Sequence, residues 1–597
     1  MKSIKIFVSH DTEKTITIDN SIYQNILTQA REEKVINSFF RDDIGDNISD
    51  KYNRYQELTV QYWAWKNVDA DYYGLCTQNK YLSFSNSNIR NNPKTNFEFP
   101  APYFDEHPTI DPPIKFEYLN NSNIQKLNLF DQAMKDAIEP YDMIITSHLD
   151  WDITVMQQFD VPSVLDNKLQ LALNLIDEFS PEFSVAAHEY LNGYVYYPGQ
   201  LYVMKKELFN EYCNWSFKIL DELEKRIDFS NYSIEGLKIL YYISERLLGV
   251  YYTYLKNQNK YKLRELDWCK IEHTEIQDSI LPIIKDHNKA IVLTFSNEFI
   301  IGAAATILSV IKNSSDDYQY DIVCFNKNLT QENKNLFYRL IKNKNNFSIR
   351  FYDVGYLMSN YNLYLAKAHW VDVSYYKLLI PEIMNHYDKV LFLDSDLIIL
   401  EDISKLLELD LTNYDLAAST GINYIATNAR RPWANKYNNQ KIKLKNIFDY
   451  FMSGMFVLNL KEIGDKISSD QLLLQVNNSN LVLEETILNI SFQDKSIYIL
   501  DPTWQVCVKQ SDFVLELLRK YTPEYMYTQY INSRQKPKII HYLGPIKPWD
   551  FPNSDLSHYW WNTVRGTEIY ELAINSQIKK VNTENAKQFI QNLSSQI

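Results

Sequence analysis

The sequence predicts an α/β protein built as two domains, and three observations carry that reading. At 597 residues and 70.7 kDa the chain exceeds what one hydrophobic core organises. Short apolar runs alternate with longer stretches whose apolar residues recur every three or four positions, as strands and helices do around a mostly parallel sheet. That alternation begins twice, near residues 4 and 290. With 45% hydrophobic and 14% aromatic residues, core material is ample and global disorder is excluded.

Ile4 to Val8 reads as the first buried strand. Glu57 to Lys66 is an amphipathic, aromatic-rich segment, and Tyr72 to Cys76 a further strand. Tyr62, Trp63 and Trp65 stand at helical spacing, which favours core packing over stacking on sugar rings; Trp560 and Trp561 pose the same choice. Residues 85–123, rich in Asn and Pro, are expected to make a long surface excursion. Tyr141 to Thr146 and Val195 to Met204 are strands, and helical periodicity runs from Lys205 to about Lys256. The charged stretch around Pro282 reads as a connection, giving expected domains at 1–258 and 288–565, a connecting segment at 259–287, and a helical tail at 566–597. In the second half strands at Ala290–Thr294, Tyr320–Phe325, Ser348–Asp353 and Val390–Leu393 enclose helices at Gly302–Val310 and Gln331–Lys342. No tandem repeat is visible.

Composition removes several functions. Only 13 residues are glycine, about 2% against ~7% in ordinary proteins. Neither G-x-G-x-x-G nor G-x-x-x-x-G-K-[ST] occurs, so a nucleotide phosphate must be held by a metal ion or by single glycines. The net charge of −14 argues against nucleic acid as a partner. Five scattered cysteines without a C-x-x-C pair suggest a reducing compartment. The N-terminus lacks the apolar run of a signal peptide, and no stretch approaches a membrane span. The expectation is a cytoplasmic protein with at most peripheral membrane association; oligomeric state is left open.

The most informative segment is Lys389-Val390-Leu391-Phe392-Leu393-Asp394-Ser395-Asp396-Leu397-Ile398-Ile399-Leu400. Two carboxylates at the end of a buried strand need cations or donors, and hard oxygens there suit Mn²⁺ or Mg²⁺. Such an ion can stabilise a departing diphosphate as a Lewis acid. The bare D-x-D pattern is weak, since it recurs at Asp69/Asp71 and Asp150/Asp152; the apolar strand leading into it is what distinguishes this copy. A second motif runs from Lys538 to Trp549, where a short strand delivers His541, a candidate third ligand. Gly544 there permits close approach of backbone to phosphate, and Lys547 supplies charge for a diphosphate. The plain alternative is a core histidine before a proline-rich turn.

Together these motifs make residues 288–565 resemble glycosyltransferase family 8, whose members have the GT-A fold. The order matches through Tyr375-Tyr376-Lys377-Leu378-Leu379-Ile380-Pro381-Glu382, Phe451-Met452-Ser453-Gly454-Met455-Phe456-Val457-Leu458-Asn459-Leu460 and an acidic loop at Glu484-Glu485-Thr486. The resemblance implies a mixed, mostly parallel sheet and transfer of a sugar from a UDP-sugar with retention of configuration. It implies Asp394, Asp396 and His541 as metal ligands, and Gly544 and Lys547 at the diphosphate. Thr294, Ser296 and Ser395 fall at the nucleoside, and Ser453, Gly454 and Glu484 at the donor sugar. Lys377 and Glu485 are the catalytic candidates; Glu485 either faces the sugar's reacting side or is an ordinary helix-start carboxylate. The departures are Ser296 for a usual Asp, Lys377 for Arg, Met452 for Asn, and Glu484-Glu485-Thr486 for Asp-Gln-Asp. An Arg-to-Lys change keeps charge and loses the bidentate fork.

Residues 1–256 resemble a second domain, glycosyltransferase-like and found in bacterial proteins for capsular polysaccharide. The resemblance runs through Ile4–His10, Glu57–Asn67, Asp71–Cys76, Met204–Phe209, Glu222–Arg226 and Ser244–Leu248. Where relatives continue with His-Tyr-Arg-Arg-Tyr, this chain has Thr77-Gln78-Asn79-Lys80-Tyr81, without the usual phosphate partners. The domain is therefore expected to be an α/β, GT-A-like unit, either degenerate or a second transferase with shifted residues. The resulting expectation for the whole chain is a hexosyltransferase, glucose or galactose leading, acting on a surface glycan or glycoprotein glycan. A non-catalytic glycan-binding protein is the alternative from another class. A sugar nucleotidyltransferase is disfavoured because residues 294–301 hold no glycine.

Overall fold

The computed structural model describes residues 2–28, 39–91, 112–160, 167–284, 288–363, 372–479, 484–509 and 512–594. The chain divides into two compact units, Met1–Ile276 and Gln277–Ile597.

The first unit is a mixed sheet flanked by helices. Its strands are β1 (Ile4–His10), β2 (Tyr23–Leu27), β3 (Tyr72–Thr77), β4 (Met143–Thr146), β5 (Tyr202–Lys205) and β6 (Leu263–Leu266), in the spatial order β6-β4-β5-β3-β1-β2. β1 runs parallel to β2 and β3, while β5 is antiparallel to β3 and β4. Helices α1 (Leu58–Asn67), α2 (Lys206–Arg226) and α3 (Ile239–Asn257) supply much of the core. α3 is apolar on most sides and is accordingly enclosed. The aromatic run of α1 packs inward: Trp63 is buried, with Nε1 donating to the Ile44 carbonyl at 2.8 Å, and Trp65 stacks on Phe217. Trp560 is likewise buried, in the second unit, against Trp549 and Trp561.

Three stretches of the first unit differ from the sequence expectation. Val195 to Met204, read as one strand, is two, Val195–Tyr196 and Tyr202–Lys205. Within 259–287, read as a connection, β6 and Trp268–His273 are strands of the first sheet; flanking charges hide the buried Trp268, Cys269 and Ile271, of which Cys269 and Ile271 share one face. Of the 85–123 excursion, residues 92–111 lie outside the described set. Ile114–Tyr118 is a strand and Asn121–Leu127 a helix, capped by the Asn120 side chain accepting from the Asn123 amide.

The second unit repeats the strand–helix alternation. β7 (Asn288–Thr294), α4 (Ile300–Asn313), β8 (Gln319–Asn326), α5 (Gln331–Ile341), β9 (Phe347–Asp353) and β10 (Lys389–Leu393) are followed by β11 (Leu397–Ile399), β12 (Leu416–Thr420) and β13 (Phe451–Asn459). Then come α6 (Glu484–Phe492), β14 (Ile497–Ile499), β15 (Val506–Cys507), β16 (Ile539–His541) and α7 (Glu568–Ser594). The main sheet runs β9-β8-β7-β10-β13-β12-β14, parallel from β9 to β10, with β13 antiparallel to both its neighbours. A small sheet orders β11-β16-β15.

β10 explains the sheet's stability. Its alternate residues reach opposite faces, Leu391 and Leu393 into the cluster with Ala303 and Ile307 of α4, Val390 and Phe392 into the cluster with Tyr376, Leu379 and Leu458. Fully burying one such side chain contributes roughly 1.5–3 kcal/mol, which fixes the strand that carries Asp394. α7 begins inside the unit, with Ile569 and Ala573 buried. All five cysteines are buried and free. Among the described residues no helix is long and apolar enough to cross a membrane.

Candidate active site

Strand pairing assembles the site at the carboxyl ends of β7 and β10. Leu293 pairs with Leu393, so Thr294 and Asp394 leave the sheet side by side. The Asp394 amide is held by the Gly454 carbonyl of β13 at 2.8 Å. The turn at Ser395 and Asp396 then feeds β11, whose Leu397 pairs with His541 of β16, and the Tyr542 amide donates to the Asp396 carbonyl at 3.0 Å. Two motifs distant in sequence thereby meet at one point.

One ligand atom each from Asp394, Asp396 and His541 lies within 4.8 Å of the others. His541 Nε2 stands 3.2 Å from Asp396 Oδ1 and 3.8 Å from Asp394 Oδ2. The remaining carboxylate oxygens go to lysines: Lys377 Nζ donates to Asp394 Oδ1 at 3.1 Å, and Lys547 Nζ donates to Asp396 Oδ2. Each carboxylate therefore turns one oxygen toward an ammonium and one toward the shared point. Among the described residues, the imidazole at 3.2 Å is what faces the buried Asp396 Oδ1, which takes no lysine. A carboxylate oxygen left free of lysine, a second carboxylate and an imidazole nitrogen form a donor set that fits Mn²⁺ or Mg²⁺.

The charges are mutually dependent. Burial raises Asp394 above the ordinary carboxylate range, against Lys377. Burial acts the same way on Asp396, but Lys547 and His541 overrule it and hold that carboxyl well below its usual value. Burial would lower His541, yet Asp396 pushes it up to about 10. A cation entering between them must displace a proton.

The other predicted residues fall around this centre. Lys377 is buried, with its ammonium also donating to the Ser453 carbonyl at 3.2 Å and Glu484 Oε1 at 3.5 Å. Glu484 and Glu485, expected in a loop, instead open helix α6. Glu485 Oε2 accepts from the Ser453 amide at 3.1 Å and its hydroxyl at 3.2 Å, while burial, with Glu484 adding to it, raises its pKa. Glu485 is thus both a helix-start carboxylate and a group locked to the strand that holds Asp394. Ser296, after β7, has a buried hydroxyl without a hydrogen-bond partner among the described residues. The Ser395 carbonyl lies against Gly302, where a Cβ would approach to 2.5 Å. A Cβ on Gly454 would meet His541 Cε1 at 2.3 Å, so this glycine makes room for the imidazole. Gly544 holds the left-handed φ of +85° in the loop that returns Lys547 to the site.

Two features carried no motif. Gln505 Nε2 sits 3.2 Å from His541 Nδ1, on the ring's far side. Met452, Gln505 and Cys507 form the inner wall of a 490 Å³ cavity whose rim includes the exposed Phe448 and Tyr525. Neither has a sequence signal: Gln505 meets His541 through the pairing of β15 with β16, and the cavity is lined by segments scattered between Ser419 and Tyr530.

Comparison with known proteins gives the following. Residues 290–552 match Glycosyl transferase family 8, and residues 5–260 match a Domain of unknown function (DUF4422). General stress protein A of Bacillus subtilis (strain 168) is 24% identical over 309 residues, covering 48% of this chain and 99% of that protein. Glycosyltransferase GlyF of Streptococcus pneumoniae serotype 4 is 25% identical over 280 residues, covering 46% of this chain and 60% of that protein. The apo structure of WbbM, a bifunctional glycosyltransferase, aligns with 96% of this chain and 100% of its own at 24% identity and a TM-score of 0.51. That likeness extends the GT-A-like α/β fold over both halves.

Proposed function

From a chain whose residues 290–552 form a glycosyl transferase family 8 domain, and which is therefore a glycosyltransferase, we propose a metal-dependent, retaining hexosyltransferase. It would move glucose or galactose from a UDP-sugar to a bacterial surface glycan or glycoprotein glycan. The observation that carries this reading is the meeting of Asp394, Asp396 and His541 within 4.8 Å, with Lys547 on Asp396.

Asp394, Asp396 and His541 would hold Mn²⁺ or Mg²⁺, which when bound supplies Lewis-acid stabilisation of the departing diphosphate. The protein's own groups do the rest. Lys547, returned by the Gly544 loop, exchanges its carboxylate partner for a diphosphate oxygen, neutralising charge as the leaving group departs. Lys377 offsets the negative charge of Asp394 and Glu484, because its ammonium lies between them. The unpartnered Ser296 hydroxyl, beside Thr294, offers a hydrogen bond to the nucleoside. Glu485, fixed by Ser453, is placed to stabilise positive charge developing on the sugar. The acceptor would approach through the cavity walled by Met452, Gln505 and Cys507, with Phe448 and Tyr525 as stacking faces. For the N-terminal unit the reading is a scaffold or acceptor platform, because Thr77-Gln78-Asn79-Lys80-Tyr81 lacks the usual phosphate partners.

UDP release from a panel of UDP-sugars with Mn²⁺ tests the proposal. Turnover with one hexose donor, lost by at least ~10³-fold in an Asp394→Asn/Asp396→Asn variant, is expected. Unchanged turnover in that variant removes the metal role. Absence of metal-dependent UDP binding by calorimetry favours a glycan-binding protein instead.

A further inference from the structure

We propose that Gln505 is a positioning residue that decides which ring nitrogen of His541 carries the proton, and so whether the Asp394–Asp396–His541 cluster is open to a divalent cation. The inference rests on reading that cluster as a metal site.

The imidazole has a carboxylate side and an amide side. Nε2 faces Asp396 Oδ1 and Asp394 Oδ2, and Nδ1 faces Gln505. Only a nitrogen with a free lone pair ligates a metal, so Nε2 must be unprotonated and Nδ1 must carry the hydrogen. The partner at Nδ1 then has to be an acceptor. In the structure the amide nitrogen, and not the oxygen, is the atom nearest the ring: Gln505 Nε2 lies 3.2 Å from Nδ1.

The acceptor is nonetheless at hand. Gln505 Oε1 is buried and has no hydrogen-bond partner among the described residues, in a residue only 3% exposed. A buried, unpaired carbonyl oxygen costs ~1–3 kcal/mol. A half-turn of the carboxamide puts Oε1 on Nδ1–H, satisfies that oxygen and presents the Nε2 lone pair to the two aspartates. The backbone keeps the amide in reach of the ring, because Cys507 pairs with His541 and Val506 with Ile540, so Gln505 enters the strand beside them. The turn before it is pinned by Asp501, whose carboxylate accepts from the Thr503 amide at 3.0 Å. Gly454 leaves the space: a Cβ there would meet both Nδ1, at 2.8 Å, and Gln505 Nε2, at 2.9 Å. The absence of a side chain at 454 serves the pair as a unit.

The test is calorimetric titration of Mn²⁺ alone into the full-length protein and its Gln505→Met and Gln505→Glu variants. Methionine keeps length and cannot accept a hydrogen bond; glutamate only accepts. Mn²⁺ affinity is expected to fall about 10- to 100-fold in the methionine variant, and to stay nearer wild type in the glutamate variant. Histidine ¹⁵N spectra of the Mg²⁺-loaded protein give the readout that packing alone would not move. They should show a protonated Nδ1 at His541 in wild type and the glutamate variant, and a proton on Nε2, with the ring off the metal, in the methionine variant at the same Mg²⁺ concentration. Wild-type affinity in the methionine variant overturns the proposal. So does a wild-type His541 that stays protonated at Nε2 with metal present. If the methionine variant does not fold, a glutamate variant with sharply weakened binding and no Nδ1 proton overturns it equally. A wild-type protein that binds no Mn²⁺ takes down the metal reading itself, whereas wild-type binding with unchanged variants removes only Gln505.

Discussion

The Lys377 ammonium is the residue on which the acidic side of the site depends. It contacts Asp394, the Ser453 carbonyl and Glu484, and the side chain is 1% exposed. Removing one partner of a buried charge set leaves the others uncompensated, at a cost of about 3–5 kcal/mol. Lys377→Met is therefore expected to lower the urea midpoint of the second unit in metal-free buffer, with less loss when Mn²⁺ is present. A second residue-scale effect sits in the first unit. His10 is fully buried, donates through Nε2 to Asn25 at 2.9 Å, and is lowered by burial to about 4. The unfolded chain binds its proton near pH 6.5 and the folded chain only near 4, so the stability His10 allows is present above pH 6.5 and lost as pH falls toward 4. The full loss is on the order of 3 kcal/mol. Unfolding curves from pH 7 to 4 should show this slope, and His10→Gln should flatten it. At this scale the clustering of Asp394, Asp396 and His541 was legible, because two carboxylates after a buried strand and an imidazole before a glycine turn are motifs. Gln505 was not, since its meaning comes only from the ring it faces.

At the scale of elements, the site depends on two places where chains approach too closely for a side chain. β13 passes His541 at Gly454, and α4 passes the turn after β10 at Gly302. Gly454→Ala should displace the imidazole and Gln505 together, weakening Mn²⁺ binding by ~10-fold or more and destabilising the unit by about 1–3 kcal/mol. Calorimetric titration and urea unfolding measure the two effects. The elements themselves were unequally readable. β10 announces itself through an unbroken apolar run, since a central strand is buried on both faces. The acidic stretch at Glu484–Thr486 was read as a loop, with a helix-start carboxylate at Glu485 as the alternative, and it opens a helix: carboxylates there meet the helix's unsatisfied amides and positive end. β6 and the strand at Trp268–His273 were read as a connection because their outward residues are charged, as edge and half-exposed strands often are.

For the whole molecule, the division at Ile276 gives each unit a core of its own. A scan of the intact chain is expected to show two unfolding transitions. Mn²⁺ with UDP should raise only the one that belongs to Gln277–Ile597, by mass action on the state that binds. A shift of both transitions would mean the two unfold as one. The double start of the α/β pattern made the two-unit plan readable from the sequence.

The buried cysteines turn this plan into something measurable without any label. Cys76, Cys213 and Cys269 lie in the first unit, Cys324 and Cys507 in the second. Burial raises the thiols of Cys76, Cys213, Cys269 and Cys324, so they are shielded and little ionised while the fold persists. Trapping with a thiol reagent under native conditions, followed by peptide mapping, therefore reports the opening of each half as a separate clock. A single cysteine introduced on the surface would carry a fluorophore at one address, with the natural five left in place.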